Sequence, residues 1–272
     1  MIATATEPIL RVDGLCKQFT TKTGPLTVLS PTSFEMQQSE LVSIVGPSGC
    51  GKSTLLHIVG GLTSPTAGQV FLDGHEVMEA GADRGMVFQA YTLFPWLTVH
   101  KNVQFGPRLR RMSKAERTKI ADHFLNVVGL YGFKDHYPKQ LSGGMRQRVA
   151  IARALANNPR ILLMDEPFGA LDAQTRAIMQ ELLLSVRKSE RTTTLFITHD
   201  IDEAVFLSDR VFVMTARPGK FKAEIRVPFG QDRAADICSS PEFFRLRSQI
   251  YELLHAEGKA VVDAEIAAGH DA

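Results

Sequence analysis

A glycine-rich run at residues 46–54 constrains the fold of this chain more than any other feature of its sequence. In order, its residues are Gly46, Pro47, Ser48, Gly49, Cys50, Gly51, Lys52, Ser53 and Thr54. A short, largely apolar run at 41–45 precedes it, and from Lys52 onward the apolar residues have the spacing of a buried helix. A strand, a glycine loop and a helix in this order predict an α/β fold.

The run at 46–54, hereafter the phosphate loop, matches the pattern G-x-x-x-x-G-K-[ST] of nucleoside triphosphate sites. Its glycines let backbone N–H groups converge on phosphate oxygens, and the following helix adds the positive end of its dipole. In such a loop Lys52 reaches the β- and γ-phosphates, and the Ser53 hydroxyl takes one position around Mg²⁺. A chance glycine turn is the alternative, but the flanking strand and helix are the context that the motif requires.

Two adjacent acidic residues, Asp165 and Glu166, end the apolar run at 161–164. Because strand carboxyl ends face the ligand crevice in open α/β sheets, we expect Asp165 beside Mg²⁺ and Glu166 beside the attacking water. Neighbouring side chains on an extended chain point in opposite directions, which suits two separate roles. Without the phosphate loop, two idle acids at a solvated strand end would be the preferred interpretation.

A serine and two glycines, Ser142, Gly143 and Gly144, open the helical pattern at 146–156. A hydroxyl and free N–H groups at the positive end of a helix offer a second place to hold phosphate. Because serine is favoured at helix N-caps, an ordinary N-cap explains Ser142 equally well by itself.

Apolar runs and helical patterns alternate along the chain, which predicts a parallel sheet. Strands are expected at residues 9–12, 26–29, 41–45, 69–72, 85–89, 161–164, 194–198 and 211–215. Helices are expected at residues 52–59, 114–128, 146–156, 173–188 and 201–207, so the middle of the chain is mainly helical. Turns are expected at residues 13–14, 23–25 and 73–74. The polar residues after Pro228 are assigned no element.

In chain order, these motifs resemble those of the ATPase subunits of ABC transporters. The ordered set comprises the phosphate loop, L-S-G-G at 141–144, the strand ending in Asp165 and Glu166, G-A-L-D at 169–172, and His199. The resemblance covers about residues 9–215 and is far more specific than any one motif. It implies a P-loop NTPase fold: an α/β core with a mainly parallel sheet, an N-terminal antiparallel β subdomain and an inserted helical subdomain.

The resemblance implies three parts of the chain. The nucleotide-binding core with its β subdomain would comprise residues 1–88 and 157–222, and the helical subdomain residues 89–156. Residues 223–272 would form a C-terminal extension of unassigned role.

The resemblance also implies roles for single residues. Phe19 is similar to the aromatic residue that stacks on adenine, and Gln89 to the loop glutamine near Mg²⁺ and the attacking water. Asp172 would lie at a dimer interface beside the nucleotide, and His199 would contact the γ-phosphate. The implied catalytic residues are Lys52, Gln89, Glu166 and His199.

Three of these residues have structural alternatives. Phe19 could be a strand residue that faces the core, where aromatic residues are common. Gln89 could be a polar loop residue. His199 follows a predicted strand, and Asp200 with Glu203 is typical of a capping box that begins the next helix.

Two motif positions carry a sulfur-containing residue. The family's commonest residue after L-S-G-G is Gln, and here it is Met145. Because the implied contacts come from Ser142 and backbone N–H groups, we expect this change to be tolerated. Cys50 lies near a helix N-terminus and Lys52, which both lower a thiol's pKa, so we expect it to react with a maleimide and to be protected by ATP. The alternative is that Cys50 is a small filler.

In this family the L-S-G-G of one chain faces the phosphate loop of another, so the resemblance implies a homodimer that encloses two ATP molecules. Each γ-phosphate would recruit donors from both chains, and hydrolysis would remove the charge that holds them together. Glu166 would orient or deprotonate the water. The other implied partners are transmembrane permease subunits and, indirectly, an extracytoplasmic solute-binding protein. The implied location is peripheral, at the cytoplasmic face of the inner membrane.

The segment at 91–99, Y-T-L-F-P-W-L-T-V, is rich in large apolar residues. It is either part of the core of the helical subdomain, since most aromatic residues are buried, or a groove that seats a cytoplasmic helix of the permease. Trp96 is the only tryptophan, so its fluorescence is expected to respond to permease binding.

Three runs, at 93–99, 167–176 and 216–219, resemble the nitrate, sulfonate and taurine importer branch of the family. They imply uptake of a small oxyanion or related solute. Importers of other small solutes share much of this pattern, so that alternative stays open.

The charge balance argues against nucleic acid as a partner: Lys and Arg number 31 and Asp and Glu 29, a formal net charge of +2. No long coiled-coil insertion separates the phosphate loop from L-S-G-G, which disfavours a soluble ABC-type ATPase acting on nucleic acid or ribosomes. A non-catalytic nucleotide-binding module is disfavoured by four intact residues, Lys52, Asp165, Glu166 and His199.

Cysteine usage and apolar runs favour a chain of the reducing cytosol. Cys16, Cys50 and Cys238 are widely spaced and form no C-x-x-C pair, which argues against disulfides or a zinc site. Residues 1–8 lack the features of a secretory signal. The longest apolar runs are far shorter than the roughly 18–20 residues that cross a bilayer, so we expect the chain to serve a membrane from its side.

Overall fold

The computed structural model of the protein describes residues 7–22, 24–90 and 92–269, with the backbone alone at residue 235 and at 258–269. Its strands are β1 (Leu10–Thr21), β2 (Gly24–Met36), β3 (Leu41–Val45), β4 (Ala67–Leu72), β5 (His75–Glu76), β6 (Arg84–Val87), β7 (Ile161–Asp165), β8 (Thr193–Ile197), β9 (Arg210–Met214) and β10 (Phe221–Arg226). Its α-helices are α1 (Lys52–Val59), α2 (Val99–Val103), α3 (Phe105–Leu109), α4 (Lys114–Val127), α5 (Gly143–Leu155), α6 (Ala173–Glu190), α7 (Ile201–Leu207) and α8 (Pro241–Gly269).

The chain divides into two compact units. The first comprises residues 1–79 and 195–272, and the second residues 80–194. The domain limits drawn from the motifs stay a prediction.

An antiparallel sheet opens the first unit, with strand order β2-β1-β4-β5. β1 and β2 extend well beyond the predicted strands, because they pair along almost their whole length. The turn predicted at 13–14 is wrong. The pairing shifts between Val12 and Leu15, and Gly14 has a φ of 56°, so these residues form a bulge within β1.

The other predicted turns join strands of the same sheet. Asp73 and Gly74 have φ of 48° and 75°, as a two-residue hairpin turn requires, so the turn between β4 and β5 is confirmed. Of the turn predicted at 23–25, Thr23 lies outside the described residues.

Further strands of the first unit include β3 and β9, which pair in parallel, and β10, which pairs antiparallel with β9. Every residue of β3 is buried, as expected of a strand covered on both faces. α1 and α7 have the predicted limits. β10 is an element that the sequence patterns missed.

The second unit combines a parallel strand pair, β6 and β7, with helices α2 to α6. α4 and α6 agree closely with prediction, whereas α5 begins at Gly143 because Ser142 caps it. The short helices α2 and α3 were not predicted. The apolar core between the helices includes Val103, Leu125, Val128, Val149 and Ala152. With parallel pairs, an N-terminal antiparallel sheet and inserted helices, the predicted fold class is confirmed.

α8 occupies the extension for which no element was predicted. Its first turns bury Phe243, Leu246 and Ile250, each at most 2% exposed, at the spacing of one helix face, and α8 packs on α7 and β9. Within the described part of the chain, no helix has the length and hydropathy of a membrane-spanning segment.

Candidate functional site

The phosphate loop connects β3 to α1 in the first unit, and several of its positions require glycine. Gly49 and Gly51 have φ of 72° and 105°, in the left-handed region that side chains disfavour. A Cβ atom at Gly51 would lie 3.0 Å from the carbonyl oxygen of Val28, and one at Gly46 would lie 2.9 Å from the sulfur of Cys50. The motif glycines therefore meet both conformational and packing requirements.

Lys52 is buried at the start of α1, with 6% of its surface exposed. Its Nζ donates hydrogen bonds to the carbonyl oxygens of Gly46 at 2.8 Å and Pro47 at 3.0 Å, because a buried ammonium group needs acceptors. Gly51, the N-cap of α1, supplies no side-chain cap, and the first turn contains no acid. This positive helix end, with the exposed hydroxyl of Ser53 in the same turn, can therefore accept an anion.

The other residues of the phosphate loop differ in exposure. Ser48 and Gly49 are exposed, and Pro47 and Thr54 are half-buried. Cys50 is only 1% exposed, and burial raises its pKa more than neighbouring Lys52 lowers it. The prediction of an activated, accessible thiol is therefore wrong, and the alternative of a small filler fits the structure.

His199 is exposed beyond the end of β8 and precedes α7. The N-cap half of the predicted capping box is confirmed, since the side chain of Asp200 accepts a hydrogen bond from the N–H of Glu203 at 3.1 Å. The Glu203 carboxylate accepts a hydrogen bond from the hydroxyl of Thr198, whose oxygen accepts one from the N–H of Asp200 at 3.0 Å. This network holds the backbone on both sides of His199. A cavity of about 630 Å³ adjoins it, lined by residues 199–202 and by α8.

Phe19 lies on β1 with 41% of its surface exposed. The Nζ of Lys17 lies 5.0 Å from the centre of its ring, within the range of a cation–π contact. The alternative that Phe19 faces the core is therefore wrong. Stacking on adenine stays a prediction, for which an exposed aromatic face is the requirement.

In the second unit β7 ends at the half-buried Asp165, after four buried residues. Glu166 follows with a φ of 43°, in the left-handed region. The chain is not extended at Glu166, so the expectation that both acids lie on an extended strand is wrong, and the separate roles of the two carboxylates stay a prediction. Strained backbone of this kind is common at functional positions.

The oxygen donors among the predicted residues suit Mg²⁺. This ion is typically held by one or two carboxylates together with water and nucleotide phosphates. Ser53 offers a hydroxyl and Asp165 a carboxylate of that kind. Among the described residues, no three His, Cys, Asp or Glu side chains form a cluster that could hold a metal by themselves. The side chains of Ser53 and Asp165 are therefore each a donor of the kind that Mg²⁺ takes beside a nucleotide, and their joint role stays a prediction.

Gln89 lies beyond the end of β6. The strand predicted at 85–89 ends at Val87, so Gln89 belongs to the loop that follows, and its side chain is exposed. This agrees with both the loop-glutamine role and the polar-loop alternative, and the role stays a prediction.

Ser142 is the exposed N-cap of α5, and its Oγ accepts a hydrogen bond from the N–H of Met145 at 3.2 Å. The N-cap interpretation is therefore confirmed, although a hydroxyl that accepts one bond can still donate another to phosphate. Gly143 is half-buried and Gly144 buried, where a Cβ would lie 2.5 Å from the Cγ2 of Thr175. Glycine at residue 144 thus lets α5 approach α6 closely.

Asp172 is the N-cap of α6, and its carboxylate accepts a hydrogen bond from the N–H of Thr175 at 2.9 Å. The hydrogen bonds from Thr175 lower the pKa of Asp172. Its contact with a second copy of the chain stays a prediction.

Sequence reasoning missed Asn102, which organises the segment at 92–99. Asn102 is fully buried; its Oδ1 accepts a hydrogen bond from the N–H of Phe94 at 2.9 Å. Its Nδ2 donates to the carbonyl oxygens of Phe94, Leu97 and Thr98, at 3.1, 3.0 and 3.0 Å. No sequence signal identifies such an asparagine, because its partners are backbone groups.

The segment at 92–99 is neither wholly core nor wholly surface. Val99 is fully buried and Leu93 packs against the helical core, whereas Trp96 is 71% exposed. Tyr91, the first residue of the predicted segment, lies outside the described residues. The core interpretation therefore holds for Leu93 and Val99, and Trp96 is free to contact solvent or a partner.

Comparison with known proteins gives consistent matches. The profile of the family described as ABC transporter matches residues 29–169. An uncharacterized ABC transporter ATP-binding protein of Methanocaldococcus jannaschii is 52% identical over 91% of this chain and 92% of its own length. A nitrate import ATP-binding protein of Synechocystis sp. is 47% identical over 90% of this chain and 94% of its own length. A taurine import ATP-binding protein of Roseobacter denitrificans is 44% identical over 90% of this chain and 93% of its own length.

Two solved structures are similar along most of the chain. One is a dimeric post-hydrolysis state of an ATP-binding cassette bound to ADP and Pi, with a TM-score of 0.71 and 35% identity. The other is a dimeric bacterial ABC transporter cassette, with a TM-score of 0.71 and 36% identity. Each match covers 81% of this chain and 100% of the other.

Proposed function

The chain belongs to the ABC transporter family and is an ATPase of its ATP-binding cassette class, and we propose that it energises import of a small solute through a separate membrane permease. The observation that carries the nucleotide-binding part of this proposal is the phosphate loop, whose left-handed glycines and buried Lys52 precede a helix end with no side-chain cap. Relatives named for nitrate and taurine import, at 47% and 44% identity, support the direction of transport.

In the proposed site the whole phosphate loop, residues 46–54, binds the phosphates of ATP. Its N–H groups surround the β-phosphate, and Lys52 exchanges its carbonyl partners for β- and γ-phosphate oxygens. Phe19 stacks on adenine, for which its exposed ring is suited.

The hydrolytic step needs a positioned water and a neutralised γ-phosphate. Ser53, Gln89 and Asp165 would hold Mg²⁺, which when bound neutralises charge that develops on the phosphates. Glu166 orients or deprotonates the water, and His199 donates to the γ-phosphate. The strained backbone of Glu166 supports a functional role at this position, because such strain is common at active sites.

The proposed working assembly is a homodimer. Ser142, Gly143 and Gly144 of one copy complete the phosphate-loop site of the other, and Asp172 lies at the interface. The dimeric state of similar cassettes supports this arrangement. Two ATP molecules would join the copies, and their hydrolysis would release them.

The permease is the partner through which hydrolysis does mechanical work. The segment at 92–99 is the proposed contact, because exposed Trp96 is attached to backbone that buried Asn102 fixes. A solute-binding protein outside the membrane would act indirectly, and the chain would lie peripherally at the cytoplasmic face.

The proposed solute is a small oxyanion such as nitrate, or a sulfonate such as taurine. This rests on the relatives' names and on the runs at 93–99, 167–176 and 216–219. Uptake of labelled nitrate and taurine by host cells carrying Lys52→Ala would identify it. Loss of uptake of one solute would name it, and unchanged uptake of both would point to another small solute.

Co-purification from detergent-solubilised host membranes tests the transporter proposal itself. A tagged chain is expected to retain membrane proteins with several spanning segments, whereas Trp96→Ala loses them and keeps its ATPase activity. Recovery of ribosomal proteins or nucleic acid in their place would favour a soluble ATPase and overturn the proposal.

A further inference from the structure

The loop at residues 216–219, between β9 and β10, lies against the phosphate loop within the first unit. The Nε of Arg217 donates a hydrogen bond to the carbonyl oxygen of Gly49 at 3.1 Å. The guanidinium group passes so close that a Cβ on Gly49 would lie 2.8 Å from its Nη2. The two residues are 168 positions apart, so only the fold brings them together.

This hydrogen bond restrains the phosphate loop through one of its backbone carbonyl groups. When the N–H groups of a loop turn toward an anion, carbonyl groups of the same loop turn away from it and need donors of their own. Arg217 gives a charged donor to one such carbonyl, on a glycine whose φ of 72° reflects its conformational freedom. The bond therefore restrains the phosphate loop at a glycine, the residue type with the widest range of accessible backbone conformations.

Gly219 anchors the other end of the 216–219 loop. Its N–H donates to the carbonyl oxygen of Val28 at 2.9 Å, and its own carbonyl accepts from the N–H of Ser30 at 2.9 Å. A Cβ at Gly219 would overlap the carbonyl oxygen of Cys50, so the 216–219 loop packs directly on the phosphate-loop backbone. The backbone that carries Arg217 is thus held in place by the hydrogen bonds and packing of Gly219.

The C-terminal helix α8 also contacts the 216–219 loop, through Glu257. The Oε2 of Glu257 accepts a hydrogen bond from the N–H of Ala216 at 3.2 Å. Its Oε1 accepts one from the Nζ of Lys222 at 2.7 Å, and 18% of the Glu257 side chain is exposed. A continuous set of contacts therefore runs from α8 through the 216–219 loop to Gly49.

We propose that Arg217 is a positioning residue for the nucleotide, and that α8, through Glu257 and the 216–219 loop, sets how tightly the phosphate loop holds ATP. The inference rests on the proposed nucleotide site and gives the C-terminal extension a role in it. Arg217 bonds to the loop backbone, so its loss weakens nucleotide binding and leaves the chemical step intact.

The test is binding of Mg-ATP to the full chain by isothermal titration calorimetry, with KM and kcat for hydrolysis measured on the same preparations. Arg217→Ala is expected to raise Kd and KM about 3- to 10-fold, as for one charge-assisted hydrogen bond, with kcat within about 2-fold of wild type. Arg217→Lys, which keeps a donor and the charge, is expected to recover part of the loss. Arg245→Ala is the matched control, because it removes an exposed arginine that pairs with Glu242 on α8.

Glu257→Ala tests the contribution of α8. It is expected to raise Kd and KM in the same direction by a smaller factor, about 2- to 3-fold. Glu257→Gln, which keeps an acceptor for the N–H of Ala216, is expected to lie between wild type and Glu257→Ala. Thermal unfolding of each variant, followed by circular dichroism, reports whether it is folded.

The outcomes separate this inference from the proposed function. A wild-type chain that binds no ATP would overturn the proposed function. If the wild type binds ATP, Lys52→Ala does not, and Arg217→Ala binds as tightly as Arg245→Ala, only the positioning role is overturned. A fall in kcat at unchanged KM would also overturn it. If Arg217→Ala does not fold, the test uses Arg217→Lys and Arg217→Gln instead. The positioning role again predicts a raised KM with kcat close to wild type.

Discussion

Backbone conformation at single residues decides much of the chemistry that this chain can host. Gly49 and Gly51 adopt left-handed conformations without penalty, whereas Glu166 does so at a cost on the order of 1 kcal/mol. At Gly51 the close carbonyl of Val28 also excludes a side chain. All three residues therefore adopt a left-handed backbone that most residues avoid. The glycines adopt it without strain, and Glu166 adopts it with strain.

Glu166→Gln keeps the strained backbone and the side-chain size but removes the carboxylate. We expect ATP hydrolysis to fall by about 10²- to 10⁴-fold and an ATP-bound dimer to accumulate on size-exclusion chromatography. Glu181→Gln, at an exposed glutamate of α6, is the matched control and should hydrolyse normally. A Glu166→Gln variant with wild-type turnover would show that Glu166 does not activate the attacking water.

The substitution Gly51→Ala tests two requirements at this glycine: a left-handed backbone conformation, and space beside the carbonyl of Val28. Its φ of 105° and the carbonyl of Val28 both oppose a side chain, so the free energy of unfolding should fall by about 2–3 kcal/mol and ATP binding should be lost. Gly74→Ala meets the conformational penalty alone, since its Cβ would meet nothing within 4 Å, and should lose about 1 kcal/mol. Urea denaturation measures both values, and equal losses would show that the Val28 contact contributes nothing.

Cys50 should be the slowest cysteine to react with N-ethylmaleimide. It is buried, whereas Cys16 and Cys238 are partly exposed, so peptide mass spectrometry should find those two alkylated first. Burial raises the pKa of Cys50, so its reactive thiolate is scarce at neutral pH and increases only as pH rises above the ordinary thiol range. Full labelling in denaturant is the control. Preferential labelling of Cys50 in the native protein would restore the accessible-thiol interpretation.

At the scale of elements, the motifs coincide with helix N-termini. Ser142, Asp172 and Asp200 are the N-caps of α5, α6 and α7, and each accepts a hydrogen bond from an N–H in the first turn. The same residues therefore begin helices and are proposed to serve, or to stand next to, the nucleotide site. The two functions can be separated by substitutions that preserve one of them.

Ser142→Ala and Ser142→Asp make that separation. Ser142→Ala removes the cap of α5 and should lower the free energy of unfolding by about 1 kcal/mol. Ser142→Asp keeps a good cap but turns a negative charge toward the proposed γ-phosphate, so stability should stay near wild type while ATPase activity falls. Chemical denaturation and steady-state hydrolysis measure the two effects. Normal hydrolysis by Ser142→Asp would show that Ser142 acts only as the N-cap of α5 and not as a phosphate donor.

At the scale of the whole molecule, the proposed reaction needs two copies of the chain. The residues that hold and cleave ATP would come from one copy, and the L-S-G-G donors from the other. Similar cassettes of known structure are dimeric. A division of this kind can be tested by mixing two inactive variants.

Glu166→Gln and Ser142→Asp should complement each other. In a mixed dimer of the proposed kind, both defects fall in one site and the other site is intact, so mixing the two inactive preparations should restore part of the activity. Each variant mixed with itself is the control. If every site were built from a single chain, the mixture would stay as inactive as its components.

The sequence by itself determined the elements and motifs that depend on neighbouring residues. The limits of α1 and α7, the hairpin turn at 73–74 and the caps at Ser142 and Asp200 all follow from local periodicity, glycine and capping chemistry. The order of the motifs was enough to identify the family. Each of these signals acts within a few residues, where side-chain pattern and backbone conformation are directly linked.

Only the tertiary structure decided the features that depend on distant residues. Burial of Cys50 outweighs the charge of Lys52, and Arg217 reaches Gly49 across 168 positions. The helix α8 follows a polar stretch, and its buried face becomes meaningful only against α7 and β9. Desolvation and long-range hydrogen bonds depend on what the fold brings together, and no local pattern in the chain encodes those neighbours.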